Sequence, residues 1–215
     1  MTEFKETELD ERAIKMAKVL SADAVERAGH GHPGSPVSLA PIAYTLYQHF
    51  IKHDPNDPKW EGRDRFILSG GHASLTQYVQ LYFSGYGLTL DDLKNFRGGA
   101  DTRTPGHPEY GLTPGIEMTT GPLGQGFASA IGFAYGQRFE RGLLDHLHAN
   151  STVLDTIAAT GDLTSETEEA LKNAVEEFHH QWISAGRGAA GLEDGEVVAE
   201  RTREEISRGR TNEKA

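Results

Sequence analysis

The chain has 215 residues, enough for one domain or for one domain with a helical appendage. Its formal net charge of -11 argues against binding to nucleic acid or to an anionic membrane surface, because both are negatively charged. The absence of cysteine excludes disulfides, thiolate catalysis and cysteine-based metal sites. No stretch is apolar enough to cross a bilayer and residues 1–6 do not resemble a signal peptide, so we expect a cytoplasmic protein.

Helices separated by turns are predicted for the first part of the chain. Apolar residues recur at helical spacing over residues 8–28, which predicts an amphipathic helix. A second helix is expected over residues 41–53, because Pro41 is acceptable in a first turn. The apolar run at residues 66–69 predicts a short buried strand, followed by a helix through Tyr82.

Loops and helices are predicted to alternate along the rest of the chain. Thr89 opens a short helix with a capping pattern, and residues 98–115 form a Gly- and Pro-rich loop long enough to suggest a binding role. Residues 124–147 are expected to be helical. Ser165 opens another helix, whose apolar face is formed by Leu171, Ala174, Val175, Phe178 and Trp182.

A glycine-rich turn at residues 119–126 is the most informative stretch, with the sequence Thr-Thr-Gly-Pro-Leu-Gly-Gln-Gly. Glycines let the backbone approach a ligand closely, and a helix that begins just after the turn directs free amides at that ligand. Such a turn can hold a diphosphate with few charged side chains. The alternative is a tight turn between two elements that binds nothing.

Three histidines lie on turns that contain Gly or Pro. These residues are His32, His72 and His107. A single loop histidine is most often a solvated residue, but three on rigid turns indicate imidazoles that converge on one polar pocket. Imidazoles suit proton transfer on hydroxyls and carbonyls near neutral pH.

Residues 10–138 resemble the first part of transketolase, the thiamine-diphosphate enzyme. Four motifs carry the resemblance, in the family's order and at its approximate spacing: Ala28-Gly-His-Gly-His-Pro-Gly, Arg63-Asp-Arg-Phe-Ile-Leu-Ser-Gly-Gly-His, Thr102-Arg-Thr-Pro-Gly-His-Pro-Glu and Glu117-Met-Thr-Thr-Gly-Pro-Leu-Gly-Gln-Gly. His30 departs from the pattern, because the family usually has a small polar residue there.

The resemblance implies a role for each matching residue. His32 would contact substrate near the reacting carbon, His72 would lie beside the cofactor diphosphate, and His107 would face the substrate channel. The backbone that lines the cofactor would be that of Gly121, Pro122 and Leu123. The implied cofactors are thiamine diphosphate and magnesium.

Two other interpretations of the first motif are weak. Residues 29–34 fit the pattern G-x-G-x-x-G, but a dinucleotide site needs a strand before the glycines and a helix that opens among them. Here the preceding segment is helical and Pro33 interrupts the turn. The pair His30 and His32 does not complete a zinc shell.

The family's metal-binding aspartate corresponds by position to Asp162. The apolar strand that should precede it is replaced by residues 151–160, and the later metal-site Asn is missing. Asp162 is therefore either an incomplete magnesium ligand or a cap for the helix that begins near Ser165; we expect the cap.

Three segments carry a second resemblance: Phe139-Glu-Arg-Gly-Leu-Leu-Asp-His-Leu, Leu154-Asp-Thr-Ile-Ala-Ala-Thr-Gly-Asp-Leu and Thr167-Glu-Glu-Ala-Leu-Lys-Asn-Ala-Val-Glu-Glu-Phe. On these segments, residues 138–185 resemble the C-terminal helical region of the ATP synthase alpha subunit. The chain is therefore expected to comprise a partial diphosphate-binding domain (residues 1–138), a helical segment (139–185) and a disordered tail (186–215). The expected fold is α/β and predominantly helical: a truncated thiamine-diphosphate-binding fold with a helical C-terminal appendage.

The resemblance implies transfer of a two-carbon ketol unit between sugar phosphates. The chain would then act on a sugar phosphate substrate and would need a C-terminal transketolase half or a second subunit, because the glutamate that activates the cofactor lies on a domain absent here. Alone it is expected to be inactive. The alternatives are a non-catalytic ligand-binding or assembly module, or a chimeric chain with an interaction role for its helical second half.

Overall fold

The computed structural model describes residues 5–185, and the predicted tail at 186–215 lies outside the described residues. Seven α-helices are described in this range, together with a π-helix, Leu46–Phe50, and a 3₁₀ turn, Gly71–Ala73. The α-helices, numbered α1 to α7, are Glu8–Ala28, Gly34–Thr45, Leu75–Phe83, Leu90–Lys94, Gln125–Asn150, Val153–Thr160 and Ser165–Ser184.

Helix α1 has the bounds expected from its apolar spacing, and the sequence at each end explains them. Thr7 and Asp10 form a capping box: Thr7 Oγ1 accepts from the amide of Asp10 at 3.2 Å, and Asp10 Oδ2 accepts from the amide of Thr7 at 2.8 Å. Gly29 ends the helix at φ 73°, a left-handed conformation that glycine adopts without steric cost.

Helix α2 begins seven residues earlier than expected. It starts at Gly34 because Pro36 lies in its first turn, where a missing N–H removes no hydrogen bond. Pro41 lies inside the helix instead of at its start. The segment continues as the π-helix Leu46–Phe50, which ends where the amide of Ile51 donates to the carbonyl of Leu46 at 2.8 Å.

The strand expected at residues 66–69 does not form. The segment is irregular, and residues 5–185 contain no β-strand, so the described structure is mostly helical and lacks the sheet expected of an α/β fold. A strand needs a neighbour whose backbone groups complete its ladder of hydrogen bonds, and the described residues supply none.

The core of the first part of the chain lies between α1, α2 and α3. Helix α3 is buried along nearly its whole length, and the short helix α4 packs beside α1 and begins with the expected capping box at Thr89. The largest buried side chains of this core include Tyr47, Leu75, Tyr78, Val79, Leu81 and Leu93.

The chain divides into two compact units between Ala134 and Tyr135, within α5. In the second unit, α7 packs on the later turns of α5 through an aromatic cluster. Trp182 Nε1–H donates to the Tyr135 hydroxyl at 2.8 Å, and Phe178 and Trp182 pack edge-to-face against the Phe139 ring. Two of the predicted apolar-face residues of α7, Phe178 and Trp182, are therefore buried.

Candidate functional site

The turn that carries His72 lies directly against the glycine-rich turn. A Cβ built on Gly71 would lie 2.5 Å from the carbonyl oxygen of Thr120 and 2.8 Å from the amide nitrogen of Gly121. Only a residue without a side chain allows the two backbones to approach this closely. The 3₁₀ turn Gly71–Ala73 thus fixes His72 next to residues 120–121.

His32 and His72 are in contact. Their ring centroids are 5.0 Å apart with an interplanar angle of 64°, an edge-to-face arrangement. His32, which follows the end of α1, is exposed, whereas His72 is half-buried. Residues 40 positions apart in the sequence therefore present adjacent imidazoles.

His107 approaches the same turn from the loop that precedes it. A Cβ built on Gly121 would lie 3.9 Å from His107 Cδ2. The loop is tied to α3, because the Tyr78 hydroxyl donates to the carbonyl of His107 at 3.1 Å and the Ser74 hydroxyl donates to that of Gly106 at 3.0 Å. We call the three histidines together with Gly121 the histidine site.

The start of α5 completes this arrangement. Gly124 has φ 85°, and the amide of Gln125 donates to the carbonyl of Pro122 at 3.3 Å. A Cβ on Gly126 would lie 2.5 Å from the carbonyl oxygen of Leu68, so the first turn of α5 packs on the segment that leads to His72. The N-terminus of a 26-residue helix thus begins four residues after Gly121.

A buried ion pair links two of the motif segments. Arg63 donates to Glu117 through both Nε and Nη2, at 2.7 and 2.8 Å, and both side chains are largely buried. The hydrogen bonds that Arg63 donates to Glu117 raise the pKa of Arg63, so the guanidinium remains charged. It joins the segment before His72 to the segment before Gly121.

Several residues that shape the site were given no role of their own by the sequence analysis. Gly71 and Gly126 make the closest backbone approaches, and Ser74 and Tyr78 hold the His107 loop. The Gly-Gly pair before His72 is the one signal that could have indicated a close approach.

The helix that follows Asp162 is capped by a different residue. Thr164 Oγ1 accepts from the amide of Thr167 at 3.2 Å, so the expectation that Asp162 caps α7 is wrong. Thr164 is the residue directly before the first helical turn, the position from which a side chain reaches that amide. Asp162 is exposed in the second unit. Within residues 5–185 no three His, Asp or Glu side chains are grouped so as to hold a metal ion.

A family model described as the transketolase thiamine diphosphate binding domain matches residues 9–163, most of the chain. The chain belongs to the transketolase family. The transketolase of Mycobacterium tuberculosis is 46% identical over 200 residues, which cover 90% of this chain and 28% of that protein. The transketolase of Geobacillus stearothermophilus is 54% identical over 130 residues, covering 60% of this chain and 19% of its relative.

Solved transketolase structures resemble the fold. A Campylobacter jejuni transketolase has a TM-score of 0.61 and 47% identity, over 65% of this chain and 22% of that one. A Pichia stipitis transketolase in complex with sedoheptulose 7-phosphate has a TM-score of 0.60 and 46% identity, over 62% and 19%. This chain thus spans less than a third of the length of these transketolases.

The transketolase match does not stop at residue 138, where the second resemblance begins. The family model continues to residue 163, and an alignment over 90% of the chain must also extend beyond it. The relatives described above are all transketolases, and the resemblance of residues 138–185 to the ATP synthase alpha subunit stays a hypothesis. No helix in residues 5–185 is long and apolar enough to span a membrane.

Proposed function

We propose that the chain is the front portion of a transketolase thiamine-diphosphate domain and that it serves two-carbon ketol transfer between sugar phosphates together with a second polypeptide. The observation that carries the proposal is the histidine site, where the turns of His72 and His107 lie against the glycine-rich turn and the His32 ring contacts that of His72. One of the related structures contains a sugar phosphate.

The arrangement suits a diphosphate. The N-terminus of α5 carries a partial positive charge, and the turn before it is exposed at Pro122 and Leu123. The side chain of His72 is held beside this turn by the close packing of Gly71. His72, Gly121, Pro122 and Leu123 are the residues that would hold the cofactor.

The substrate would lie against the two exposed imidazoles. Bound thiamine diphosphate supplies the carbon nucleophile for ketol transfer. His32 and His107 are placed to donate and accept hydrogen bonds with substrate hydroxyls, and a neutral imidazole can move a proton at such a hydroxyl near neutral pH. The hydrogen bonds that hold the His107 loop orient its imidazole before the substrate binds.

The described residues fit magnesium less well than they fit the diphosphate. Asp162 is the acidic residue at the family's metal position, but it is exposed and gathers no second or third ligand within residues 5–185. A metal role for Asp162 stays a prediction, and the steps above do not depend on it.

The proposed ketol transfer would use transketolase segments outside the matched region. The transketolase relatives are more than three times as long as the segment they share with this chain, and the resemblance assigns the activating glutamate to a domain outside that segment. We therefore propose a C-terminal transketolase half or a second subunit as the partner. The isolated chain is expected to have no activity.

The test is a ketol-transfer assay on the chain alone and with the part of the M. tuberculosis transketolase that lies beyond the matched segment. We expect no turnover by the chain alone and measurable turnover by the mixture, which His32→Ala should abolish. The variant His30→Ala is the matched control, because His30 is an exposed histidine whose Nδ1 contacts the carbonyl of Ala28 at 2.9 Å. Turnover by the chain alone would contradict the proposal.

A non-catalytic ligand-binding module is the second candidate. The observation that favours it is the glycine-rich turn beside the N-terminus of α5, which can hold a diphosphate without any catalytic group. Binding of thiamine diphosphate with no turnover in the mixture would support this candidate over the first.

A further inference from the structure

Arg97, just after α4, has a backbone conformation that glycine normally adopts. Its φ is 59°, and among residues 5–185 it is the one residue other than glycine with a positive φ. Two glycines follow at positions 98 and 99, yet an arginine occupies the left-handed position. The Arg97 amide donates to the carbonyl of Thr104 at 3.1 Å, which ties this residue to the segment that leads to His107. Strained residues of this kind persist where their surroundings hold them, and they cluster at functional sites.

The side chain of Arg97 packs against the residue that precedes His107. A Cβ built on Gly106 would lie 2.9 Å from both Cζ and Nε of Arg97, so the flat guanidinium covers one face of Gly106. Arg97 Nε is buried, and the described part of the chain offers it no hydrogen-bond acceptor. Packing on the Gly106 backbone, and not a hydrogen bond from Nε, therefore holds the guanidinium at this loop.

The neighbouring side chain, Phe96, packs against the residue that precedes His32. Phe96 is 3% exposed, and a Cβ built on Gly31 would lie 3.3 Å from Cε1 of its ring. Gly31 has φ 148°, so a side chain is disfavoured there by the backbone as well as by the ring. Two consecutive residues thus each contact the glycine before one histidine of the site.

We propose that Phe96 and Arg97 are positioning residues that fix the turns of His32 and His107 relative to each other. The inference rests on the proposed function, because that function assigns both imidazoles to one substrate. A single planar peptide joins the two residues, so one piece of backbone sets both contacts. Groups that act on the same substrate must keep their separation, since a displacement of about 1 Å can lower a rate about a hundredfold.

The first test is nuclear magnetic resonance of the full chain with isotope-labelled histidine rings, without cofactor or substrate. Arg97→Ala is expected to shift and broaden the signals of His107 and to leave those of His32 in place. Phe96→Leu should have the reverse effect, because its ring contacts Gly31 and not Gly106. The control is Arg27→Ala, which removes an exposed arginine of α1 and should move neither histidine.

A second pair of variants tests the contact between Arg97 and Gly106 itself. Gly106→Ala should move the His107 signals as Arg97→Ala does, because the added Cβ would overlap the guanidinium. In the Arg97→Ala background the space is free, so Gly106→Ala should cause little further change. Thermal unfolding of each variant verifies that its fold is retained.

Kinetics distinguish positioning from direct substrate binding. In the mixture used to test the proposed function, Arg97→Ala should lower kcat about a hundredfold and change KM by less than about twofold. Binding of thiamine diphosphate should stay unchanged, since the residues proposed to hold it are His72 and the glycine-rich turn. A side chain that bound the substrate directly would instead raise KM at an unchanged kcat.

Three results would overturn the proposal. One is identical His107 signals in the wild type and Arg97→Ala. Another is an equal change at His32 and His107 in Arg97→Ala, which would indicate a general loosening of the fold. The third is a raised KM with unchanged kcat, which would make Arg97 a substrate-binding residue. Absence of turnover by the wild-type mixture would count against the proposed function alone, because the resonance measurements on the free chain do not depend on turnover.

Discussion

Gly71 lies where a side chain would collide with the backbone that lines the histidine site. We expect Gly71→Ala to destabilise the chain by about 1–3 kcal/mol, a typical cost of overpacking, because the added Cβ would lie 2.5 Å from the Thr120 carbonyl oxygen. Thermal unfolding followed by circular dichroism measures this change.

A helical glycine in open space provides the control. A Cβ on Gly136 would have no neighbour within 4 Å, so Gly136→Ala should leave the unfolding temperature unchanged or raise it through helix propensity. Equal destabilisation by the two variants would show that close packing at Gly71 is not the cause.

Asp10 makes the stability of the first unit depend on pH. The side-chain and backbone hydrogen bonds from Thr7, followed by those from Tyr44 and His49, hold the pKa of Asp10 well below its usual range. Burial, with a further contribution from Asp10, raises the pKa of Tyr44 to about 12. Tyr44 therefore remains a neutral donor to this carboxylate throughout the physiological range.

The sign of the Asp10 effect follows from its lowered pKa. Ionised Asp10 stabilises the folded state above the ordinary aspartate pKa of about 4, and this stability is lost as the pH falls below that value. We expect the difference in unfolding free energy between wild type and Asp10→Asn to shrink as the pH is lowered from about 5 to about 3. Tyr44→Phe should keep most of the pH dependence, because the Thr7 bonds are the largest cause. Urea unfolding at several pH values gives the measurement, and a difference that stays constant with pH would contradict it.

Among the secondary-structure elements, the helices that begin at capping motifs agree most closely with the prediction from the sequence. Helix α1 and helix α4 begin at capping boxes that can be read from Thr7 and Thr89. Helix α2 begins earlier than predicted, because Pro41 lies inside the helix and not in its first turn. No strand forms at residues 66–69, because a strand needs a second strand to pair with, and an apolar run alone does not supply one.

At the start of α7, local geometry determines which of Asp162 and Thr164 caps the helix. Thr164→Ala should cost about 1 kcal/mol of stability, because the first turn of α7 would lose the acceptor for the Thr167 amide. Asp162→Ala should have no such effect, since its side chain does not cap the helix. Urea unfolding of the two variants checks this difference, and the reverse order of stability would restore Asp162 as the cap.

For the whole molecule, the sequence predicts the members of the histidine site better than it predicts their scaffold. His32, His72 and His107 can be singled out because each lies on a turn with Gly or Pro. The structure places the turns of His72 and His107 against residues 120–121 and the His32 ring against that of His72. The contacts that achieve this, such as Gly71 against Thr120 and Arg63 against Glu117, join residues 49 and 54 positions apart. No local pattern contains such pairings, because they arise only when the chain packs.

We expect the glycine-rich turn of this chain to bind the diphosphate of thiamine diphosphate. Calorimetric titration of thiamine diphosphate, with magnesium in the buffer, measures this binding. A heat of binding to the wild-type chain is expected, greatly reduced by His72→Ala and unchanged by His30→Ala, with no comparable heat from thiamine, which lacks the diphosphate. Absence of binding to the wild-type chain, or equal binding to the wild type and His72→Ala, would overturn the proposed cofactor site.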